Sequence, residues 1–242
     1  MTEWFESWFD TKYYHLLYKD RNEDEARAFI SNLIRDLNVS HDSKILDLCC
    51  GKGRHSKFLN SKGYSVVGAD LSNQSIQSAK KFENENLKFL VHDMRDKLPG
   101  YEFDLVVNLF TSFGYFKEEA ENEKVIQSIY SYLKANGVLI IDFLNVNKAV
   151  KNLIPHQERT IEGILFNIDK KVEEGMIKKS ITFTDAEEEF SYEENVRILN
   201  FTYFEEMLTK NGFEIIETFG DYDLSRFDKE DSDRLIIKAV KK

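Results

Sequence analysis

The chain has 242 residues and a formal net charge of −10; such a surface repels nucleic-acid backbones, and Lys170-Lys171 and Lys178-Lys179 are too small a basic patch to offset it. Hydrophobic residues at 42% and charged residues at 31% exclude collagen-like, low-complexity and disordered classes, and no apolar run approaches the ~20 residues that span a bilayer. Pro99 and Pro155 are the only prolines, so no Pro-rich linker divides the chain. Residues 1–242 therefore read as a single domain, with 1–40 a helical cap, 41–145 and 200–242 the core, and 146–199 a β insertion.

Phe5, Trp8, Phe9 and Tyr13 recur at helical spacing and predict an amphipathic, aromatic-rich first helix that Tyr14 and Tyr18 extend. Ala26, Phe29, Ile30, Leu33, Ile34 and Leu37 form the stripe of a second, with Asn22 to Asp24 as its acidic start. The period then changes. Lys44 to Leu48 reads as a buried strand ended by Gly51-Lys52-Gly53, and Arg54 to Asn60 as a helix stopped at Ser61-Lys62-Gly63. Tyr64 to Ala69 is a second strand, and Ser72 caps a helix running to about Phe82. Strands follow at Leu87 to Val91 and Phe103 to Phe110, then a helix from Glu118 to Leu133 and a fifth strand from Val138 to Phe143. Strand alternating with helix predicts an α/β fold, a parallel sheet with helices on both faces.

Between Glu158 and Leu199 the rhythm breaks. Ile177, Lys179, Ile181 and Phe183 alternate with polar partners, and Glu173-Glu174-Gly175 reads as a hairpin turn, which predicts two or three inserted antiparallel strands. The α/β pattern resumes with a helix from Phe201 to Lys210 and strands at Phe213 to Thr218 and Arg234 to Val240.

The informative stretch is Ile45-Leu46-Asp47-Leu48-Cys49-Cys50-Gly51-Lys52-Gly53-Arg54-His55-Ser56. A buried strand delivers the chain to a tight turn where Gly51 and Gly53 lack side chains, so a ligand can approach backbone N–H groups at a helix start. Asp70, at the end of the next strand, is placed to accept hydrogen bonds from both ribose hydroxyls of a nucleoside. A dinucleotide turn needs glycine at the third position, and that position is Ser56. Asp47 suits a cationic ligand end, and Asp93-Met94 offers an acceptor for an adenine amino group and a side chain to pack on the ring. The adjacent cysteines, Cys49 and Cys50, form no disulfide framework or zinc site and suggest a reducing, cytoplasmic setting; they read as buried structural thiols, with a catalytic role as the alternative. Met1 to Trp4 carries no leader pattern, and His15, His41, His92 and His156 are too scattered to predict a metal site.

On these residues the chain resembles the class I S-adenosylmethionine-dependent methyltransferases, in particular small bacterial members with a D-L-x-C-G-x-G-R-H-S turn. The likeness continues through Gly68-Ala69-Asp70-Leu71-Ser72, His92-Asp93-Met94-Arg95, Phe103-Asp104-Leu105-Val106, Ser112-Phe113-Gly114-Tyr115-Phe116, Leu133-Lys134-Ala135-Asn136-Gly137 and Gly212-Phe213. The resemblance implies S-adenosylmethionine as cofactor and a Rossmann-like, seven-stranded, mostly parallel sheet whose last strand is antiparallel. Carried over by position, Asp47, Gly51 and Gly53 flank the methionyl end. Asp70 binds the ribose, Leu71 packs on the adenine, Asp93 and Met94 hold the base, and Leu109 and Phe110 form the floor below the sulfonium. Cys49 stands at that turn where the family usually has glycine.

Tyr13, Tyr14 and Tyr18 read either as a lid over the methionyl moiety or as half-buried packing. Arg54 and His55 put cations against a helix dipole, which hints at a use, and Asn145 and Asn147 read as substrate contacts or as turn formers. No general base is identified. The aromatic and hydroxyl-bearing run Phe110-Thr111-Ser112-Phe113-Gly114-Tyr115, with the acidic surface, favours a small-molecule acceptor over nucleic acid, and no membrane partner is expected. Two rival classes stay open: a nicotinamide-dependent oxidoreductase, and a non-catalytic adenosylmethionine-binding or interaction protein whose β insertion serves as a homodimer surface.

Overall fold

The computed structural model describes residues 3–19 and 23–242. It opens with helices α1 (Trp4–Trp8), α2 (Lys12–Leu17) and α3 (Glu23–Leu37). Where aromatic spacing predicts one first helix there are two, because Thr11 turns its hydroxyl back to accept from the Tyr14 N–H at 3.1 Å and so starts α2 afresh. Asn22, the expected start of α3, lies outside the described residues; Glu23, Asp24 and Glu25 fill the first turn.

From residue 44 strand and helix alternate: β1 (Lys44–Leu48), α4 (Arg54–Ser61), β2 (Ser65–Asp70), α5 (Asn73–Ala79), β3 (Leu87–Val91), β4 (Phe103–Asn108), α6 (Glu119–Tyr132) and β5 (Leu133–Leu144). A short helix α7 (Val146–Lys151) leads to β6 (His156–Ile161), β7 (Ile164–Glu173), β8 (Met176–Asp185) and β9 (Glu188–Arg197). The chain closes with α8 (Phe201–Lys210), β10 (Phe213–Phe219) and β11 (Arg234–Lys241). The main sheet has the order β10-β11-β5-β4-β1-β2-β3. β11 runs antiparallel between β10 and β5, and the other pairings are parallel. The architecture is the Rossmann-like α/β fold expected.

Both faces of this sheet are covered, which is why its strands read as continuous apolar runs. Ile45, Leu105 and Val107 pack against α3, α4 and α5, whereas Leu46, Val106 and Ile141 pack against α6 and α8. The chain leaves β1 toward β2 and β3, then returns to β4 on the other side. The crevice beyond the carboxyl ends of β1 and β4 is the topological switch point, where such sheets bind ligands.

The second sheet is a four-stranded antiparallel meander, β6-β7-β8-β9, one strand more than the upper expectation. β6 was hidden because His156 to Thr160 lacks apolar alternation. Its hairpins close through Glu162-Gly163, Glu174-Gly175 and Ala186-Glu187, each with positive φ at both positions, as two-residue turns require. Its inner face packs against the first two helices: Trp8, Tyr13 and Leu17 join Phe166, Ile168, Ile181 and Phe183 in one buried cluster. Phe5 of α1 belongs instead to the main core, so α1 and α2 tie the two sheets together.

Gly53, with φ +75°, would put a Cβ 2.5 Å from the Phe89 ring; Gly51, with φ +55°, would put one in open space. Gly53→Ala therefore adds overlap to backbone strain and costs about 2–4 kcal/mol, while Gly51→Ala costs about 1–2 from strain alone. Urea unfolding of the two variants checks the order.

Candidate functional site

At the switch point lies a cavity of about 630 Å³. Its floor is the turn after β1. The Cys49 and Cys50 N–H groups donate to the Ala69 carbonyl at 2.7 and 3.0 Å, which pins the turn to β2. Cys49 has φ +66°, a conformation in which glycine is relaxed and cysteine strained. Burial pushes both thiols well above their ordinary range, so they are inert at neutral pH.

Two of the carboxylates that line the cavity stand toward the carboxyl ends of β1 and β2. Asp47 is fully buried and accepts from the Ser56 hydroxyl at 2.5 Å. Burial pushes its pKa up from 3.8 to about 6, against the pull of the Ser56 hydrogen bonds. Asp70, at the end of β2, accepts from the Gly51 N–H and the Ser72 N–H, each at 2.8 Å, and so bridges the glycine turn to the start of α5. Burial raises its pKa as well, opposed by those two N–H groups. Neither carboxylate has an ion-pair partner among the described residues.

Leu71, Asp93, Met94, Leu109 and Phe110 line the same cavity, as do Cys49, Gly51 and Tyr18. Asp93 is already engaged. Its two oxygens accept from Arg95 at 2.6–3.0 Å, while Arg95 also donates to Glu121 at 2.7 Å. Burial raises the Asp93 pKa, but the Arg95 fork outweighs it and holds it below the usual range.

Two expected site residues stand elsewhere. Tyr13 is buried in the second sheet's core, its ring 4.5 Å from that of Phe183 and its hydroxyl donating to Asp185 at 2.8 Å, because α2 turns that side away from the crevice. Gly53 is absent from the lining; its φ of +75° and the Phe89 ring demand glycine there. Asn145 caps α7 and donates to carbonyls of the 228–232 loop at 2.8–3.4 Å, and Asn147, in the first turn of α7, donates to the Lys229 carbonyl at 3.1 Å. Tyr14, His15 and His92 do reach the cavity, and Tyr192 packs on Trp8 at 4.6 Å.

Several contributors escaped sequence reasoning. Phe110 and Thr111 both have positive φ, 58° and 59°, and are held there by a buried ion pair. Asp142 accepts from the Phe110 N–H at 2.8 Å and from Arg234 Nε at 2.7 Å, and Arg234 donates to Thr111 Oγ1 at 2.9 Å. The Phe110 ring is thereby fixed against His55, stacked at 4.9 Å, and under the Arg54 guanidinium at 4.7 Å. The one signal available was a lone aspartate in the apolar run Val138 to Phe143. Asp10 latches the first two helices over the cavity, accepting from the Ser72 hydroxyl at 2.5 Å and the Gln74 N–H at 3.0 Å.

A second cavity of about 460 Å³ adjoins the first and shares Phe9, Tyr14, Tyr18, Phe110 and Tyr115 with it. Its far wall is the second sheet, where Glu194 accepts from Trp8 Nε1 and Tyr18 Oη at 2.7 Å and from Lys179 Nζ at 2.5 Å. Burial pushes Glu194 up, but Lys179 and these hydrogen bonds prevail and keep it below the usual range. Among the described residues no cluster of three or more His, Cys, Asp or Glu is arranged to hold a metal ion, and no helix is long and apolar enough to cross a membrane.

Residues 45–137 match the family described as Methyltransferase domain. The glycine/sarcosine N-methyltransferase of Parasynechococcus marenigrum (strain WH8102) is 28% identical over 220 residues, covering 84% of this chain and 72% of that protein. Among solved structures, an S-adenosylmethionine-dependent methyltransferase from Clostridium acetobutylicum ATCC 824 superposes with a TM-score of 0.80 at 20% identity, covering 95% of this chain and 96% of its own. The sugar N-methyltransferase KedS8 from Streptoalloteichus sp ATCC 53650 gives 0.75 at 21% identity, covering 95% and 92%. Sheet order, strand-end crevice and matched domain define the class: the chain is an S-adenosylmethionine-dependent methyltransferase.

Asp47 sets a pH dependence of stability. Its folded pKa, about 6, lies above its ordinary 3.8, so its contribution is fully present below about pH 4 and is lost as pH rises through 6. The shift of about two units corresponds to about 3 kcal/mol. Asp47→Asn removes this loss. Urea unfolding of the ligand-free proteins should show the variant gaining up to about 3 kcal/mol on wild type between pH 4 and pH 8.

Proposed function

We propose that the protein transfers the methyl group of S-adenosylmethionine to an amine nitrogen of a small molecule, with the larger cavity holding the donor and the smaller one the acceptor. The observation that carries this reading is the shared aromatic wall: the two cavities meet at Phe9, Tyr14, Tyr18, Phe110 and Tyr115. The relatives named above for N-methylation of glycine, sarcosine and sugars support an amine acceptor. The D-L-x-C-G-x-G-R-H-S turn supports grouping the chain with the small bacterial members of the class.

The residues present fit the donor. Asp47 is buried and Asp70 half-buried, both carry raised pKa values, and neither has an ion-pair partner among the described residues, which suits a positively charged methionyl end and a ribose. A pyrophosphate, as in a nicotinamide cofactor, would meet both carboxylates as like charges. Nothing stands within 4 Å of a Cβ position at Gly51, which leaves its backbone open to approach. Leu71 and Met94 would flank the adenine, and Leu109 and Phe110 would underlie the sulfonium.

The bound cofactor supplies a methyl already activated on sulfur: the amine lone pair forms the N–C bond as the C–S bond breaks, its electron pair going to sulfur. The chain's own work is orientation and exclusion of water. The Asp142–Arg234 pair fixes the Phe110 ring between the cavities. Asp10 on Ser72 holds the first two helices closed over the donor. The aromatic faces favour the positive charge that the nitrogen acquires as it is alkylated.

S-adenosylhomocysteine should raise the melting temperature and NAD should not. Asp70→Ala should weaken S-adenosylhomocysteine binding about 100-fold through the loss of two charge-assisted hydrogen bonds, with Asp70→Asn intermediate. In turnover with a metabolite library, methyl transfer should fall on primary or secondary amines and spare their hydroxyl analogues. Unchanged affinity in Asp70→Ala refutes the donor placement, and methylation of oxygen alone refutes the amine.

A further inference from the structure

The second sheet turns one row of charged side chains toward the smaller cavity. Lys170 stands directly opposite Lys179, and Lys179 directly opposite Glu194. All three line the cavity, with Ile177 and Val196 beside them on the same inner face. Like charges directly opposite weaken a strand pair, and partial burial sharpens the conflict. Burial first, and the Lys179 ammonium second, pull the Lys170 pKa down.

One carboxylate answers two ammonium groups, and it is already committed. Glu194 is closed by Lys179, Tyr18 and Trp8. Arg234, the other cation lining the cavity, is matched by Asp142. Arg159, on the neighbouring strand β6, adds positive potential at Lys170 rather than relief. Among the described residues the Lys170 ammonium has no hydrogen-bond or ion-pair partner, so the wall carries one unbalanced positive charge.

We propose that this row is an anion subsite and that the methyl acceptor is an amine bearing a carboxylate, held by Lys170. This rests on the reading above that the smaller cavity takes the acceptor. One surplus positive charge calls for a monoanion, which favours a carboxylate over a phosphate ester. The cavity then works from its two ends. The aromatic wall shared with the donor cavity takes the amine, and the sheet takes the carboxylate across the width of the pocket. Lys170 is a specificity residue: it binds the acceptor away from the reacting nitrogen.

Calorimetric titration of the S-adenosylhomocysteine complex with straight-chain amino carboxylates of two to six carbons tests this, each compared with its carboxamide and its phosphonate. At least one carboxylate should bind about tenfold or more tightly than its carboxamide. That preference should collapse in Lys170→Met, survive in Lys170→Arg, and leave carboxamide affinity unchanged throughout. Absence of binding by every carboxylate, a stronger preference for phosphonate, or a preference that persists in Lys170→Met overturns the subsite. Turnover separates the two readings. A carboxylate bound through Lys170 but never methylated at nitrogen would refute the amine reaction and leave the anion subsite standing.

Discussion

The fold is arranged around two carboxylates, Asp47 buried and Asp70 half-buried, that have no ion-pair partner among the described residues. Asp47 and Asp70 end adjacent parallel strands at the point where the sheet's connections diverge, so both open onto the same crevice. Burial makes each of them costly in its charged form. Such a cost persists where function requires it, and the donor proposed above, with its cationic end, would relieve it on binding. The surrounding details follow from that requirement: a strained Cys49, an open Gly51 and a Ser56 hydroxyl locked onto Asp47.

A second set of constraints builds the boundary between the two cavities. Phe110 and Thr111 occupy backbone conformations that side chains disfavour, and the buried Asp142–Arg234 pair holds them there. The pair spans β5 and β11, which neighbour each other only because the last strand inserts antiparallel into the sheet. The topology of the carboxyl-terminal strand therefore reaches the wall shared by the two cavities through one aromatic ring. The second sheet and the first two helices supply the remaining walls, with Glu194 drawing Trp8, Tyr18 and Lys179 together.

The core α/β elements were legible because their signals are local. β3 and α8 run over the predicted residues, since apolar runs bounded by glycine or asparagine set them. The strand-end residues Asp47, Asp70 and Leu71 were legible from their position after a strand. What failed was long-range. Nothing in Tyr13 tells it apart from Tyr18, yet one faces the second sheet's core and the other the cavities, because α2 shows them on different sides. Gly53 read as a ligand-facing glycine, whereas its positive φ and the Phe89 ring, 36 positions on, dictate it. The engagement of Asp93 by Arg95, the Asp142–Arg234 pair and the fourth strand of the second sheet depend on partners that no sequence window contains.

A cationic donor that relieves Asp47 and Asp70 must change their protonation on binding, and proton counting tests this most directly. Calorimetry of S-adenosylmethionine binding at pH 6, in two buffers of different ionisation heat, reads the protons exchanged. With Asp47 titrating at about 6, binding should release roughly half a proton per site at pH 6 and none at pH 8, and the release should vanish in Asp47→Asn. Proton uptake, or no exchange at pH 6, would contradict the account.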